Sequence, residues 1–384
     1  MPPLKQGKAM RIRVIVILVL LGLLHAYIGW RILPGLPVEP AFKIAGGLLL
    51  ACSLGLIPAG LLAHSVRQPW GDRLSWVGML ALGAFSSLLV LTFLRDLALL
   101  AAAVAGWHDP LFSKRTAAAV PLLAGAITLI GFFNARRVAS VVSVDIPISG
   151  LPSELHGFTI AQISDIHVGP TIKRGYLDAI VDKVNRIEAD VVAVTGDLVD
   201  GSVRHLAPHT APLERLQARH GAYFVTGNHE YYSNAHEWIA EVKRLGLNVL
   251  LNRHVVLEHE GRQVVLAGVT DYTAHHFDPS HKSDPGRAIA GAPPGAAVKI
   301  LLAHQPRTAR AAADAGFDVQ LSGHTHGGQF FPWNFFVPMQ QPYVAGLNRL
   351  RQLWVYTSRG TGYWGPPKRF GAPSEITRLR LVSA

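Results

Sequence analysis

The stretch Ser322 to Gln329, SGHTHGGQ, sets His324 and His326 two residues apart behind an apolar run. At the end of an alternating strand both rings would point to one face. Gly323, Gly327 and Gly328 allow the backbone to bend around them. Two neutral imidazoles on one face suit a metal ion. A single His-x-His pair proves little, so other ligands must come from elsewhere in the chain.

Four more segments share its form, an apolar run followed at once by metal-capable residues. They are Asp165-Ile-His167, Gly196-Asp197-Leu-Val-Asp200, Gly227-Asn228-His229-Glu230, and His304. Taken singly, each has an ordinary explanation: a helix cap, a turn, a satisfied buried histidine. Together they matter, because residues just past strand C-termini in α/β sheets converge on one crevice. Asp165, His167, Asp197, Asn228, His304, His324 and His326 would then make a full ligand set for two metals. The donors are oxygen and imidazole, which favours Mn, Fe or Zn over soft-metal sites. The one cysteine, Cys52, lies in an apolar segment, so no internal disulfide or thiolate cluster is available.

Stepping from ligands to the elements that carry them, GFTIAQISDIH, ADVVAVTGD, GAYFVTGNHE, VKILLAHQP and FDVQLSGHTH read as buried strands. Helical spacing over Tyr176–Ile187 places Leu177, Ile180, Val181, Val184 and Ile187 on one face. Further helices are expected at Ala235–Leu245 and Thr308–Ala315. Strands alternating with helices imply an α/β domain. QVVLAGVT, QLWVYTSRG and EITRLRLV add a second sheet and hence a sandwich.

The first third of the chain differs in kind. The 384 residues are 49% hydrophobic and 16% charged, with a mean hydropathy of +0.26. Apolar runs at about 12–30, 44–63, 74–94 and 117–133 each approach the ~20 residues that cross a bilayer. Arg95 and Asp96 interrupt the third. The sequence favours a helix end anchored there, next to Trp107, over a charge pair inside the membrane. Residues 1–150 hold 13 Lys+Arg against 5 Asp+Glu, and the remainder 23 against 20. The basic excess therefore accompanies the spans, and a nucleic acid polymer is not an expected partner. Lys5, Lys8, Arg11, Arg13, Arg67, Arg73, Arg136 and Arg137 outnumber Arg31, Lys43, Lys114 and Arg115 on the other side. This predicts the catalytic part in the cytoplasm, behind a bacterial inner membrane. The expected domains are a membrane domain of about four helices at 1–138, a linker and first strand at 139–154, and a catalytic domain at 155–384.

The motifs SDIH, GDLVD, GNHE, AHQP and GHTH, in this order, resemble the calcineurin-like metallophosphoesterases. The tail SRGTGYWGPPKRFGAPSEITRLRL is similar to the membrane-associated YkuE-like and YaeI-like branch, and the spans resemble those of transmembrane metallophosphoesterase-domain proteins. The resemblance implies a four-layer α-β-β-α sandwich behind the membrane helices. It implies that Asp165, His167 and His326 hold one divalent ion, that Asn228, His304 and His324 hold a second, and that Asp197 bridges them. His229 would face substrate, oriented by Asp200. The implied reaction is metal-dependent phosphoric ester hydrolysis through a metal-bridged hydroxide. GDLVDGSV lacks the arginine that protein Ser/Thr phosphatases of this fold carry there, which lowers that reading. Arg359 is a candidate replacement for gripping phosphate, with a plain ion pair as the alternative.

Substrate class rests on QFFPWNFFVPMQQPYVAG, where Phe330, Phe331, Trp333, Phe335 and Phe336 crowd together. Either this is a packed loop, or Trp333 and Phe335 belong to an apolar lip that meets the bilayer. A lip would suit a phosphorylated lipid or lipid precursor, and the resemblance allows lipid-linked phosphate esters or pyrophosphates such as UDP-diacylglucosamine. Competing readings are a phosphodiesterase for soluble nucleotides and a catalytically silent membrane sensor or scaffold. His275 and His276 read as loop residues.

Overall fold

The computed structural model describes residues 3–63, 66–107 and 109–384. Its residues group into two compact units, Met1–Ile130 and Gly131–Ala384. The first begins with four helices, α1 (Pro3–Ile32), α2 (Pro40–Leu61), α3 (Trp70–Val104) and α4 (Pro110–Arg136), the last of which runs on into the second unit. All four are long and apolar enough to cross a membrane. Leu, Val, Ile and Phe face outward along them, as in Ile17, Leu48, Phe93 and Leu122. The side chains of Lys5, Lys8 and Arg11, used above for orientation, lie outside the described part.

One expectation is corrected here. Helix α3 does not end at Arg95 but continues to Val104. At ~1.5 Å per residue its 35 residues reach about 52 Å, well beyond a ~30 Å hydrocarbon core. Arg95 is buried. Asp96 accepts from Arg31 Nε at 2.8 Å, Arg31 Nη2 at 2.9 Å and Tyr27 Oη at 2.8 Å. Arg95 Nη1 lies 3.4 Å from the same carboxylate, and its other nitrogens donate to Thr116 and Ser113. A pair flanked only by apolar neighbours in sequence is thus absorbed by partners on α1 and α4.

The second unit contains β1 (Ser140–Ile148), β2 (Thr159–Ile163), α5 (Arg174–Asn185), β3 (Val191–Val194), α6 (Val203–Thr210), β4 (Ala222–Phe224), α7 (Asn228–Tyr232), α8 (Ala235–Arg244) and β5 (Asn248–Val249). It continues with β6 (Arg253–His259), β7 (Arg262–Gly268), α9 (Pro285–Ile289), β8 (Val298–Leu302), α10 (Ala309–Asp314), β9 (Val319–Ser322), β10 (Gly346–Leu350), β11 (Leu353–Thr357) and β12 (Glu375–Ser383). Two six-stranded sheets form, ordered β1-β12-β2-β3-β4-β5 and β10-β11-β9-β8-β7-β6. β2 through β5 run parallel, as do β7, β8, β9 and β11.

Three apolar layers hold this together, as the four-layer expectation requires. Ile160, Val191, Tyr223, Leu266, Ile300 and Leu321 meet between the sheets. Leu177, Ile180, Val181, Trp238 and Val242 seat α5 and α8 on the outer face of the first sheet. Ala288, Ala309, Ala312 and Leu301 seat α9 and α10 on the second. The inner strands β2, β3, β4 and β9 are buried on both faces, which is why they read as continuous apolar runs rather than alternating ones.

Candidate metal centre

The parallel strands deliver the seven ligand candidates to one end of the sandwich. Asp165 and His167 follow β2, Asp197 and Asp200 follow β3, and Asn228 and His229 open α7 after β4. His304 follows β8, and His324 and His326 follow β9. Five of these residues hold positive φ: Asp165 (54°), His167 (55°), Asp197 (51°), His324 (71°) and His326 (51°). Side chains other than glycine rarely occupy that region, and strain of this kind gathers at functional sites. The glycines make the approach possible. A Cβ on Gly323 would collide with Ser164 Oγ and Asp165 Oδ2, and one on Gly227 with Asp197.

Two cups result. In the first, His167 Nε2 lies 3.1 Å from His326 Nε2, and His326 Nε2 lies 3.5 Å from Asp165 Oδ1. In the second, His304 Nε2 lies 3.2 Å from His324 Nδ1 and 3.1 Å from Asp197 Oδ2. The same Asp197 oxygen is 3.9 Å from His167 Nε2, so it faces both cups.

Outer partners aim these donors. His304 Nδ1 bonds Thr195 O at 2.8 Å, and His167 Nδ1 bonds Asp200 at 3.0 Å, so each ring turns Nε2 inward. Asp165 accepts the His324 N–H at 2.9 Å, and Asp197 Oδ1 accepts the His229 N–H at 2.9 Å. Glu230, fully buried, accepts from the backbone of Asp197, Leu198 and Gly227 and ties the second and third motif loops together. Arg369, also fully buried, reaches His326 Nδ1 at 3.1 Å and donates to the carbonyls of His326 and Arg359.

The residues fit divalent cations on two observations. Asn228 Oδ1 is a buried acceptor without a hydrogen-bond partner, a costly state unless a cation completes it. Burial, with His304 and Arg369 respectively, pushes His324 down to about 3 and His326 well below the ordinary range. Both rings are therefore neutral and offer lone pairs. Burial alone would raise Asp197, but His304, His229 and His167 hold it well below the usual carboxylate range. His304 moves upward against its own burial because Asp197 faces it.

His229 bonds Asp200 through Nδ1 at 2.6 Å, with Nε2 3.9 Å from Asp197 Oδ2. Its ring lies 5.1 Å from Tyr232 and 5.8 Å from Trp364, both largely exposed. Sequence reasoning missed these two, since an exposed aromatic carries no spacing signal of its own. Arg359 donates through Nε to the buried Glu375 at 2.7 Å, so its guanidinium is occupied by a carboxylate. Phe331, Trp333, Phe335, Phe336 and Met339 are exposed, whereas Phe330 is buried. The segment after His326 is therefore buried through Phe330 and presents most of its aromatic side chains outward beyond it. His275 and His276 sit in a short turn with their rings 4.0 Å apart.

With this geometry in place, the comparisons with known proteins agree. The family model described as calcineurin-like phosphoesterase matches residues 158–328. A metallophosphoesterase of Aquifex aeolicus is 30% identical over 224 residues, which cover 58% of this chain and 84% of that one. The chain belongs to the calcineurin-like phosphoesterase family. More particularly, it is 40% identical over 270 residues to a transmembrane protein with metallophosphoesterase domain from Bos taurus, across 67% of this chain and 60% of that protein. It is 28% identical over 277 residues to the metallophosphoesterase YkuE of Bacillus subtilis, across 68% and 94% respectively. The match spans well under two thirds of the bovine relative.

Proposed function

We propose that the chain is a membrane-embedded metal-dependent phosphoesterase that hydrolyses a phosphate ester or pyrophosphate of a lipid or lipid precursor. The observation that carries the reaction class is the pair of His/Asp cups sharing Asp197 Oδ2, with Asn228 Oδ1 left as an orphaned acceptor. Asp165, His167 and His326 would hold one ion, and Asn228, His304 and His324 the other. Bound ions, of the Mn, Fe or Zn class, supply Lewis acidity toward phosphoryl oxygens and make hydroxide accessible at neutral pH.

The chain's own groups do the rest. Asp200 fixes His229 with Nδ1–H outward, leaving Nε2 toward the shared oxygen and free to deliver a proton to a leaving oxygen. Burial lowers the His229 pKa, but Asp200 and Asp197 outweigh it and lift it to about 9, so the ring carries a proton. Asp200 also fixes His167, so one carboxylate positions both a ligand and the proton donor. The lipid assignment is supported by the exposed aromatics next to His326 and by the four long apolar helices. The positive-inside count favours the cytoplasmic side of a bacterial inner membrane.

The test is turnover of a chromogenic phosphodiester and its monoester by the detergent-purified chain, stripped and reloaded with Mn²⁺. Metal-dependent hydrolysis lost in Asp197→Asn is the expected result. Two metals bound with no turnover of either ester or of a lipid pyrophosphate would overturn the enzyme reading in favour of a sensor.

A further inference from the structure

A second gathering of ligand-type side chains lies at the other end of the sandwich. Asp190 immediately precedes β3 and His220 lies two residues before β4, whereas the candidate metal-centre residues follow these strands. At ~3.3 Å per residue, the four residues of β3 alone separate the two ends by about 13 Å. His259 closes β6 in the second sheet. Three residues from both sheets therefore meet at one edge.

The geometry points to a binding site for a single divalent cation of the zinc class, held by His220 Nε2, His259 Nδ1 and one oxygen of Asp190. His220 Nε2 and His259 Nδ1 are 3.1 Å apart, and His259 Nδ1 is 3.7 Å from Asp190 Oδ1. All three donor atoms fall within 4.8 Å of one another. A tetrahedral ion with ~2.05 Å bonds sets its ligands about 3.3 Å apart, between the two measured separations. The donors, two imidazoles and a carboxylate, are those zinc accepts.

Independent contacts hold each ligand. Asp190 Oδ2 accepts the Thr159 N–H at 2.8 Å, which leaves Oδ1 for the site. The His220 N–H donates to Asp190 O at 2.8 Å, and His220 O accepts from Tyr223 Oη at 2.9 Å. Phe158 lies against both rings, stacked on His220 and edge-on to His259. His259 is buried and His220 half-buried. The other remote cluster, His236, Asp278 and His281, lacks this enclosure, because the His236 side chain is 68% exposed. An ion at Asp190, His220 and His259 would staple the two sheets together, separately from the phosphoesterase chemistry.

The test is Co²⁺ titration of the metal-stripped full-length chain in detergent, read by visible absorption and by metal content. The expected result is an intense tetrahedral cobalt band that persists in Asp197→Asn and is lost in His259→Gln and His220→Asn. Each of the last two should carry one metal equivalent fewer than the native chain, with phosphoesterase turnover retained. Zn²⁺ should raise the melting temperature of Asp197→Asn by several degrees and leave His220→Asn in the same background unmoved. Metal content and cobalt spectrum unchanged in folded His220→Asn would overturn the site. So would the absence of a tetrahedral band in Asp197→Asn, a result that needs no substitution at the site itself.

Discussion

At the scale of single residues, the proposed function separates groups that would hold cations from groups that would move protons. His229 is assigned to the second kind, since Asp200 fixes its Nδ1 at 2.6 Å and its ring lies beside the exposed Tyr232 and Trp364. His229→Ala should therefore retain two metal equivalents while turnover falls by about 10²–10⁴-fold, the usual worth of a positioned acid; metal analysis beside steady-state kinetics checks this. Asn228 gives a prediction that changes sign with metal. Its Oδ1 is orphaned and buried, and an unsatisfied buried acceptor costs about 1–3 kcal/mol. Asn228→Ala should be neutral or stabilising in the stripped chain and destabilising in the loaded one, as read by denaturant midpoints in each state. These candidate ligands were legible in the sequence because each closely follows an apolar strand, and strand ends in such sheets converge. Arg369 was not. Its bond to His326 spans 43 positions and leaves no local pattern.

At the scale of elements, legibility follows how locally a segment is determined. Helices α5, α8 and α10 fall within one or two residues of the ranges their spacing predicts. Arg95 and Asp96 were misplaced because a window around α3 cannot see Arg31, 65 positions earlier, forking onto Asp96. The aromatic segment was ambiguous for another reason: composition cannot tell a packed loop from a presented one, and the exposure of Trp333 and Phe335 supports the second reading. Their replacement by serine should leave hydrolysis of a small chromogenic ester within about twofold of native, since large surface effects are uncommon. Turnover of a phosphorylated lipid in vesicles should fall at least tenfold. Equal loss on both substrates would remove the lip from the proposal.

At the scale of the whole molecule, alkali reports how the sandwich is buried. Burial pushes Tyr176 up to about 12 and also raises Tyr231 and Tyr356, the last with Glu375 adding to the shift. An unfolded chain releases tyrosine protons near pH ~10 while the folded one keeps them. Stability from these groups is complete below pH ~10 and declines as pH rises toward 12. Denaturant midpoints should be flat just below pH ~10 and fall beyond it, with a smaller decline in Tyr356→Phe; a midpoint indifferent to pH through 11 would contradict this burial. The same scale brings out a consequence of strand order. β12 lies between β1 and β2, and Arg380 reaches Asp145 across 235 positions of sequence. A ribosome delivers the four apolar helices and all seven candidate ligands before it delivers β12. Until that strand emerges, β1 and β2 present unpaired edges, so a nascent chain carries all the candidate ligands while its first sheet cannot yet close. Translation that stops short of Glu375 would therefore leave a sticky, protease-sensitive fragment rather than a weakened enzyme.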